Sequence, residues 1–354
     1  MSRHAAVLAI ALIPHGHAAA DSFCVSTPAQ LQSALAAANA SPEASVINVV
    51  TGVYDFNAPA GGGPALQISG NSSLTISGGF AAGCPANPQI NPELTLLRVA
   101  NTGRLLDIQF QAASDNNVVL TRLGFRQGMA SASNVAGCIT AESDAGATGR
   151  LTLLYTAFRL CGSSSTTSAL RVLGRGLDLE LKNSVFADNA STGGVIALSM
   201  QTDSTYFLVN NTIAFNPRLG AAVTGPAGIQ VGQPGGGAFL WLINNIIHGN
   251  GSGTDTDVLF NGEVLGVANH NLIGRQNPFP AGMAVENNSA ASPQLPSSTN
   301  LRPPAASPAR NSGNNAAASG VPARDLDNSL RPQGPRVDIG AYEFIELFAS
   351  GFED

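Results

Sequence analysis

The chain has 354 residues, of which 44% are hydrophobic and 11% charged, and it contains 39 glycines and 21 prolines. This apolar content is enough for a core, while the scarcity of charge and the many turn residues disfavour helical bundles and favour short strands joined by turns. The formal charge of −6, with Lys182 as the one lysine, excludes a basic surface that would neutralise a phosphate backbone, so we expect no nucleic-acid partner.

Residues 1–20 have the pattern of an export signal. Arg3 precedes an apolar run from Ala5 to Ile13, and the small residues Ala18–Ala20 offer a cleavage site before Asp21. An apolar run of this length is too short to cross a bilayer, which needs about 20 residues. We therefore predict a signal peptide, an exported mature chain and no transmembrane span.

A short helix opens the mature chain and a loose repeat follows it. Pro28–Asn39 has apolar residues at helical spacing and no β-branched run, which predicts a helix that caps the N-terminal end. Further on, five segments align on one pattern of strand, turn and strand: Val118–Gly128, Leu151–Cys161, Leu179–Asn189, Tyr206–Asn216 and Leu240–Asn250. Val46–Tyr54, Leu74–Phe80, Leu94–Arg98 and Val264–Gly274 fit as further strands of the same stack.

The repeat predicts the fold class. A fixed local motif at variable spacing is typical of a solenoid whose outer loops differ in length. No two-residue hairpin turn joins neighbouring strands of the repeat, so the coils stack in parallel, and the crossover rule makes them right-handed. We predict an all-β, right-handed parallel β-helix of roughly nine coils over residues 21–275.

Two columns of asparagine are predicted at the turns of the repeat. An Asn amide in a tight turn can bond its own turn and the Asn of the next coil, which satisfies groups that are otherwise buried and unpaired. We assign this structural role to two ladders, Asn183, Asn210 and Asn244 in the first and Asn189, Asn216 and Asn250 in the second.

All four cysteines, Cys24, Cys84, Cys138 and Cys161, lie in the mature part. An even number in an exported chain indicates disulfides, and three pairings are possible. We favour Cys24 with Cys84 and Cys138 with Cys161, and the alternative is four free buried thiols. No Cys or His spacing of a metal site occurs, so we expect neither a metal nor a cofactor.

The repeat stops near Gln276. Seven prolines fall in residues 277–310, which excludes central strands there. We predict that residues 276–354 form a loop-rich C-terminal cap or wall.

Two parts of the chain resemble known families. Gln30–Tyr54 with Leu74–Phe80 resembles the start of pectin-lyase-like β-helix proteins of bacterial surfaces. The C-terminal part is similar to the choice-of-anchor Q domain of exported β-helix proteins, although Arg310 stands where that family more often has Ile; the matching stretches are Ser307–Gly313, Asp325–Pro332 and Val337–Glu343. Leu347–Asp354 resembles short Phe-x-x-Gly-Phe-Glu tails of exported Gram-negative proteins. The resemblance implies a secreted or outer-surface protein of a Gram-negative bacterium and does not imply a reaction.

An outward column of Thr152, Glu180, Phe207 and Trp241 is the candidate binding site. Phe207 and Trp241 would offer aromatic surface to a sugar ring, with Glu180 beside them. The alternative is that the loop Ala221–Gly237 folds over the aromatic residues and buries them.

Catalysis has weaker support in the sequence. A hydrolase of this fold needs two carboxylates on adjacent coils, and a lyase needs a base with a cation that stabilises the enolate. Arg171 lies near Glu142 of the preceding coil, which an ordinary surface ion pair explains, and Asp255 with Asp257 fits solvated turn residues better than a calcium site. We therefore predict a monomeric, non-catalytic, adhesive or carbohydrate-binding surface protein; the alternative is a polysaccharide lyase or glycoside hydrolase acting on an acidic polysaccharide.

Overall fold

The computed structural model describes residues 21–112, 115–132, 134–164, 167–201, 203–220, 225–232 and 237–345. Within these residues, every pairing between the strands is parallel and joins one coil to the next, so the chain is a parallel β-helix. The predicted all-β solenoid is confirmed. The predicted signal peptide at residues 1–20 and the tail Leu347–Asp354 lie outside the described residues.

Three long sheets, A, B and C, run along the stack. In the described part of the chain, sheet A has ten strands: Asp21–Val25, Ser45–Val50, Leu74–Phe80, Asn117–Thr121, Arg150–Leu154, Asp178–Lys182, Thr205–Val209, Phe239–Ile243, Leu265–Asn269 and Met283–Glu286. Sheet B follows in each coil with Gly52–Phe56, Thr95–Val99, Gly124–Arg126, Ala157–Arg159, Val185–Ala187, Thr212–Ala214, Ile246–His248 and Leu272–Ile273. Sheet C then contributes Pro64–Ile68, Arg104–Phe110, Ile139–Ser143, Leu170–Gly174, Ile196–Met200, Pro226–Gly232 and Thr256–Asn261. A small sheet D consists of Met129–Ala130, Gly162–Ser163 and Ala190–Ser191.

One residue with left-handed backbone makes the corner between sheets A and B in six successive coils. Its φ lies between 49° and 57° at Arg122, Tyr155, Asn183, Asn210, Asn244 and His270. Asn is among the few residue types that adopt this region readily, because its short polar side chain bonds locally. The corner keeps the alignment predicted from the sequence, with an Arg and a Tyr at the position of the three asparagines.

The interior is filled by one large apolar core that is closed at the N-terminal end by a helix. The rings of Phe125, Phe158 and Phe186 stack along the core with centroids 4.9 and 4.4 Å apart. The helix Pro28–Ala40 begins at Thr27, whose side chain accepts a hydrogen bond from the Gln30 backbone N–H, and it buries one apolar face against the first coils. A second, 3-10 helix of one turn covers Pro92–Leu94.

Both predicted disulfides are confirmed. Cys24 is bonded to Cys84, which ties the first strand of sheet A to the turn after Leu74–Phe80. Cys138 is bonded to Cys161 across a separation of 23 residues. All four cysteines are therefore paired, as is typical of proteins that fold in an oxidising compartment.

A ladder of buried amides runs through the turns after sheet B. Asn189 Nδ2 donates to Asn216 Oδ1 at 2.9 Å. Asn216 donates in the same way to Asn250 at 2.7 Å, and Asn250 donates to the Asp257 carboxylate at 2.7 Å. These are the residues of the second predicted column, and Asp257 closes the ladder at its C-terminal end.

A further ladder, which the sequence analysis missed, lies one residue beyond the corner position. The side chain of Asn211 donates to Asn245 at 2.9 Å, and that of Asn245 donates to Asn271 at 3.0 Å. Asn271 continues the ladder to Asn288 at 2.8 Å. Ser184 takes the first position, where its backbone N–H donates to Asn211 Oδ1 at 3.0 Å.

The first predicted column, Asn183, Asn210 and Asn244, is not a continuous ladder, and its register was wrong by one residue. Among the described residues a single side-chain bond links its members, from Asn244 to Asn210 at 3.2 Å. Asn210 Nδ2 donates instead to the carbonyls of Asp338 and Gly340. The left-handed corner directs these side chains outward, whereas the residue after each of them points into the turn.

Residues 290–345, the C-terminal segment, run along the side of the stack rather than over its end. The segment covers an outward apolar strip on sheet B that includes Ala157, Val185 and Ala214. Ile246 and Leu272 extend this strip beneath the same segment. The segment thus forms the wall that the prolines predicted, and one short strand, Met283–Glu286, precedes it at the edge of sheet A.

Arg331 fastens the C-terminal segment to the corner of the stack. Its guanidinium donates to Glu343 at 2.6 Å, to Asn183 Oδ1 at 2.8 Å and to the Gly340 carbonyl at 2.9 Å, and the side chains of both ions are 1% exposed. Burial lowers the pKa of Arg331 and raises the pKa of Glu343, while the opposite charge of each partner opposes the shift. Glu343 also accepts the backbone N–H of Asp338 at 2.9 Å. The stretch Val337–Glu343, which resembles the choice-of-anchor Q domain, therefore has a structural role.

Candidate functional site

The predicted outward column exists as a register on sheet A. Thr152 pairs with Glu180, Glu180 with Phe207, and Phe207 with Trp241. The rings of Phe207 and Trp241 are parallel to within 10° and their centroids lie 6.1 Å apart. Both side chains are half-buried, so part of each ring is open to solvent.

The aromatic pair belongs to a larger apolar surface, which we call the sheet A patch: Phe207, Phe239, Trp241, Leu265 and Val267. The Phe239 ring lies 5.1 Å from that of Trp241, and Leu265 is 49% exposed. Val267 pairs in register with Trp241 on the next coil. A partly exposed apolar patch of adjoining coils is typical of a binding surface. Sequence reasoning found only two of its members, because it ended the column at Trp241, before Val267, and did not consider the neighbouring column of Phe239 and Leu265.

A charged group borders the patch on its N-terminal side. Glu180 pairs with Lys182 at 3.0 Å and lies 3.6 Å from Arg150. The C-terminal segment joins this group, because Ser319 Oγ donates to Glu180 at 3.0 Å and Lys182 donates to the Ser319 carbonyl at 2.6 Å. The carboxylate of Glu180 is therefore held in place at the edge of the aromatic rings.

Residues of the C-terminal segment contact the aromatic residues. Pro226–Gly232 forms a strand of sheet C, and the flanking residues 221–224 and 233–236 lie outside the described part of the chain. Ala317, Ala318 and Val321 pack beside Phe207 and Trp241 instead. The alternative that the loop Ala221–Gly237 buries the aromatic residues therefore does not hold for its residues 226–232, which complete the third side of a coil.

Sheet C carries an acid pair that the sequence analysis missed. Asp107 pairs in register with Thr140, two residues before Glu142, so the two carboxylates lie on adjacent coils. Arg104 donates to both oxygens of Asp107, at 2.6 and 2.7 Å. Arg171 donates to Glu142 at 2.6 Å, which is the ion pair expected from the sequence. Burial raises the pKa of Asp107, the charge of Glu142 adds to this effect, and Arg104 opposes it.

A groove adjoins this acid pair on the outer face of sheet C. Its volume is about 540 Å³, and polar side chains line it: Asn134, Thr167, Arg171, Ser199, Gln230 and Asn261. In the part of the chain that the structure describes, none of the apolar clusters that hold the C-terminal segment includes a strand of sheet C. Sheet C is thus the side of the stack that the segment leaves open.

Asp255 and Asp257 have structural roles as hydrogen-bond acceptors. Asp255 accepts hydrogen bonds from Arg218 at 2.8 Å and from Ser252 at 2.7 Å. Asp257 accepts from Asn250 and from the backbone N–H of Arg275 at 3.0 Å. In the described residues, no group of three or more His, Cys, Asp or Glu side chains is arranged to hold a metal ion.

The chain matches no protein-family model and no curated protein. No helix of the described residues is long and apolar enough to cross a membrane. Its structure therefore defines its class: a parallel β-helix protein with two disulfides.

Proposed function

We propose that this chain is an exported protein, secreted or held on the outer surface of a Gram-negative bacterium, that binds carbohydrate or a cell-surface glycan and catalyses no reaction. Its relation to pectin-lyase-like proteins and to the choice-of-anchor Q domain is part of the proposal. The parallel coils and two disulfides support an exported β-helix protein. The motif ending in Glu343 supports a C-terminal module that is built to lie on such coils.

The sheet A patch carries the proposal. Phe207, Phe239 and Trp241 place three aromatic rings on adjoining coils, where a sugar ring can lay its apolar C–H face against them. Glu180 and Lys182 at the border supply polar groups for sugar hydroxyls. Such a surface suits adhesion to an extended glycan, because its apolar side chains come from three successive coils.

The one tryptophan of the chain provides the test. Trp241 fluorescence should shift when the mature protein meets a polysaccharide that it binds, and Trp241→Ala should weaken that binding about tenfold or more. Because the ring is half-buried, the loss of stability should be smaller than the about 3 to 5 kcal/mol of a fully packed aromatic residue.

Leu330→Ala is a matched control, since Leu330 is 56% exposed and lies outside the patch. It should leave the binding unchanged. A Trp241→Ala variant that folds and binds every tested polysaccharide as the wild type does would contradict the proposal.

The acid pair of sheet C favours a second candidate function, a polysaccharide lyase or glycoside hydrolase acting on an acidic polysaccharide. In this candidate Asp107, whose pKa is raised by burial, would donate the proton, and Glu142 on the next coil would act as the base or nucleophile. Arg104 and Arg171 flank them, where they can pair with a substrate carboxylate.

Release of reducing or unsaturated ends from pectins, alginate and glycosaminoglycans tests this second candidate. Activity that is lost in both Asp107→Asn and Glu142→Gln would establish it. Absence of product from every polymer would leave the non-catalytic function standing.

A further inference from the structure

A second cleft lies where the C-terminal segment meets the turns after sheet B. Its volume is about 440 Å³, within the range of ligand pockets. The wall on the coil side carries Glu93, Arg126, Arg159 and Asp188, and the wall on the segment side carries Arg302, Asp327 and Tyr342.

Charges of both signs alternate along the walls. Glu93 accepts from Arg159 Nε at 2.8 Å and from Arg126 through its other oxygen. Arg302 pairs with Asp327 on the segment side. The cleft holds three guanidinium and three carboxylate groups, so an anion would meet three carboxylates and a cation would meet three guanidinium groups. Electrostatics favours neither kind of ion.

Hydrogen-bonding capacity remains in the cleft after these pairs are made. Arg126 lines the cleft with a side chain that is 30% exposed, although its Nε is buried. The Asp188 carboxylate lies 3.5 Å from Arg159, at the limit of a hydrogen bond. Leu160 is 52% exposed at the rim, and the Tyr342 ring, covered on one side by Arg302 at 4.8 Å, adds apolar surface. Packing within each wall explains the ion pairs, but it does not explain the open volume.

We propose that this cleft binds a neutral, multiply hydroxylated ligand of roughly one or two sugar rings. A hydroxyl group both donates and accepts, so it fits walls that present donors beside acceptors without a net charge. The site is separate from the sheet A patch and shares with the proposed function only the class of ligand.

Asp188→Asn tests the proposal with little change to the fold. Asp188 has φ 59°, which Asn tolerates as well as Asp, and the exchange replaces an acceptor oxygen by a donor group. The mature protein is applied to an array of neutral, uronate-bearing and sulfated oligosaccharides in a Trp241→Ala background, so that the patch does not contribute. We expect binding of a neutral oligosaccharide that Asp188→Asn weakens about tenfold, the loss of one charged hydrogen bond.

Two results would overturn the proposal. The first is no binding of neutral oligosaccharides in the Trp241→Ala background; if the protein with Trp241 does bind them, the patch proposal survives alone. The second is binding of uronate-bearing or sulfated oligosaccharides that Asp188→Asn strengthens, because removal of a carboxylate favours an anion. Should Asp188→Asn lower the melting temperature, Arg126→Gln replaces it, and loss of the exposed part of the Arg126 guanidinium should again weaken binding of neutral oligosaccharides only.

Discussion

Asn245 is the most informative position in the amide ladder after sheet A. Its Oδ1 accepts the backbone and side-chain N–H groups of Asn211 at 3.0 and 2.9 Å. Its Nδ2 lies within hydrogen-bonding distance of the carbonyls of Leu208 and Ile243 and of Asn271 Oδ1, at 2.8, 3.0 and 3.0 Å. The residue is fully buried, so water cannot replace any of these bonds.

Asn245→Leu should be among the most damaging single changes in the chain. Leucine keeps the approximate size but removes every hydrogen bond of the Asn245 side chain. The Asn211 backbone N–H loses its acceptor, whereas Asn211 Nδ2, the Ile243 carbonyl and Asn271 Oδ1 each keep one other bond. One unmade buried hydrogen bond costs about 1 to 3 kcal/mol, and partial relaxation of the turn brings the total to about 3 to 5 kcal/mol. For a protein of this size the melting temperature should fall by about 5 to 10 °C.

Asn117→Leu is the matched control. Asn117 is exposed on sheet A. Its backbone N–H donates a hydrogen bond to Ser73, and this bond does not depend on the side chain. This change should move the unfolding free energy by less than about 0.5 kcal/mol. Thermal unfolding followed by circular dichroism compares the two variants. Equal melting temperatures for Asn245→Leu and Asn117→Leu would refute the ladder as a source of stability.

Three further changes test the fold and the sites. Arg331→Met should destabilise by about 3 to 5 kcal/mol because it leaves Glu343 buried without its cation, and adding Glu343→Leu should restore part of the loss in denaturant titrations; no recovery would argue against a coupled pair. Replacing Cys138 and Cys161 by Ala should lower the unfolding free energy by about 3 kcal/mol, the chain-entropy value for a 23-residue loop, and an unchanged denaturation midpoint would contradict it. Burial raises the pKa of Asp107 above its ordinary 3.8. The stability that this raised pKa contributes is therefore complete below pH 3.8 and is lost as pH rises through the pKa of the folded state. The stability of Asp107→Asn relative to the wild type should therefore rise from about pH 4 upward, and the opposite slope would show that Arg104 controls the titration instead.

The coil repeat was predictable because it depends on local pattern. Alternating residues such as Leu179 and Leu181 fix which side faces the core, and the left-handed corner favours Asn at one position per coil. The same preference explains the error in the ladder. Asn210 and Asn211 are adjacent: Asn210 forms the corner and Asn211 belongs to the ladder. Nothing in the local sequence distinguishes the two positions.

Contacts between distant parts of the chain could not be predicted. Arg331 meets Asn183 across 148 residues, and the path of a proline-rich segment has no periodicity that would reveal such a contact. The acid pair was not predicted, for a related reason. Arg104–Phe110 was not recognised as a strand, so Asp107 had no place in the register beside Glu142. The sheet A patch was found only in part, because Phe239 belongs to a neighbouring column.

The apolar strip on the outside of sheet B sets an order of assembly. Synthesis delivers the coils before residues 290–345, so each coil can close its interior on the previous one while Val185, Ala214 and Ile246 still face water. Until residues 290–345 are in place, the stack of coils has an exposed apolar side that can associate with another incompletely folded copy. We expect a chain cut after residue 289 to associate, as light scattering would reveal. The C-terminal segment thus protects the preceding coils from association with other copies.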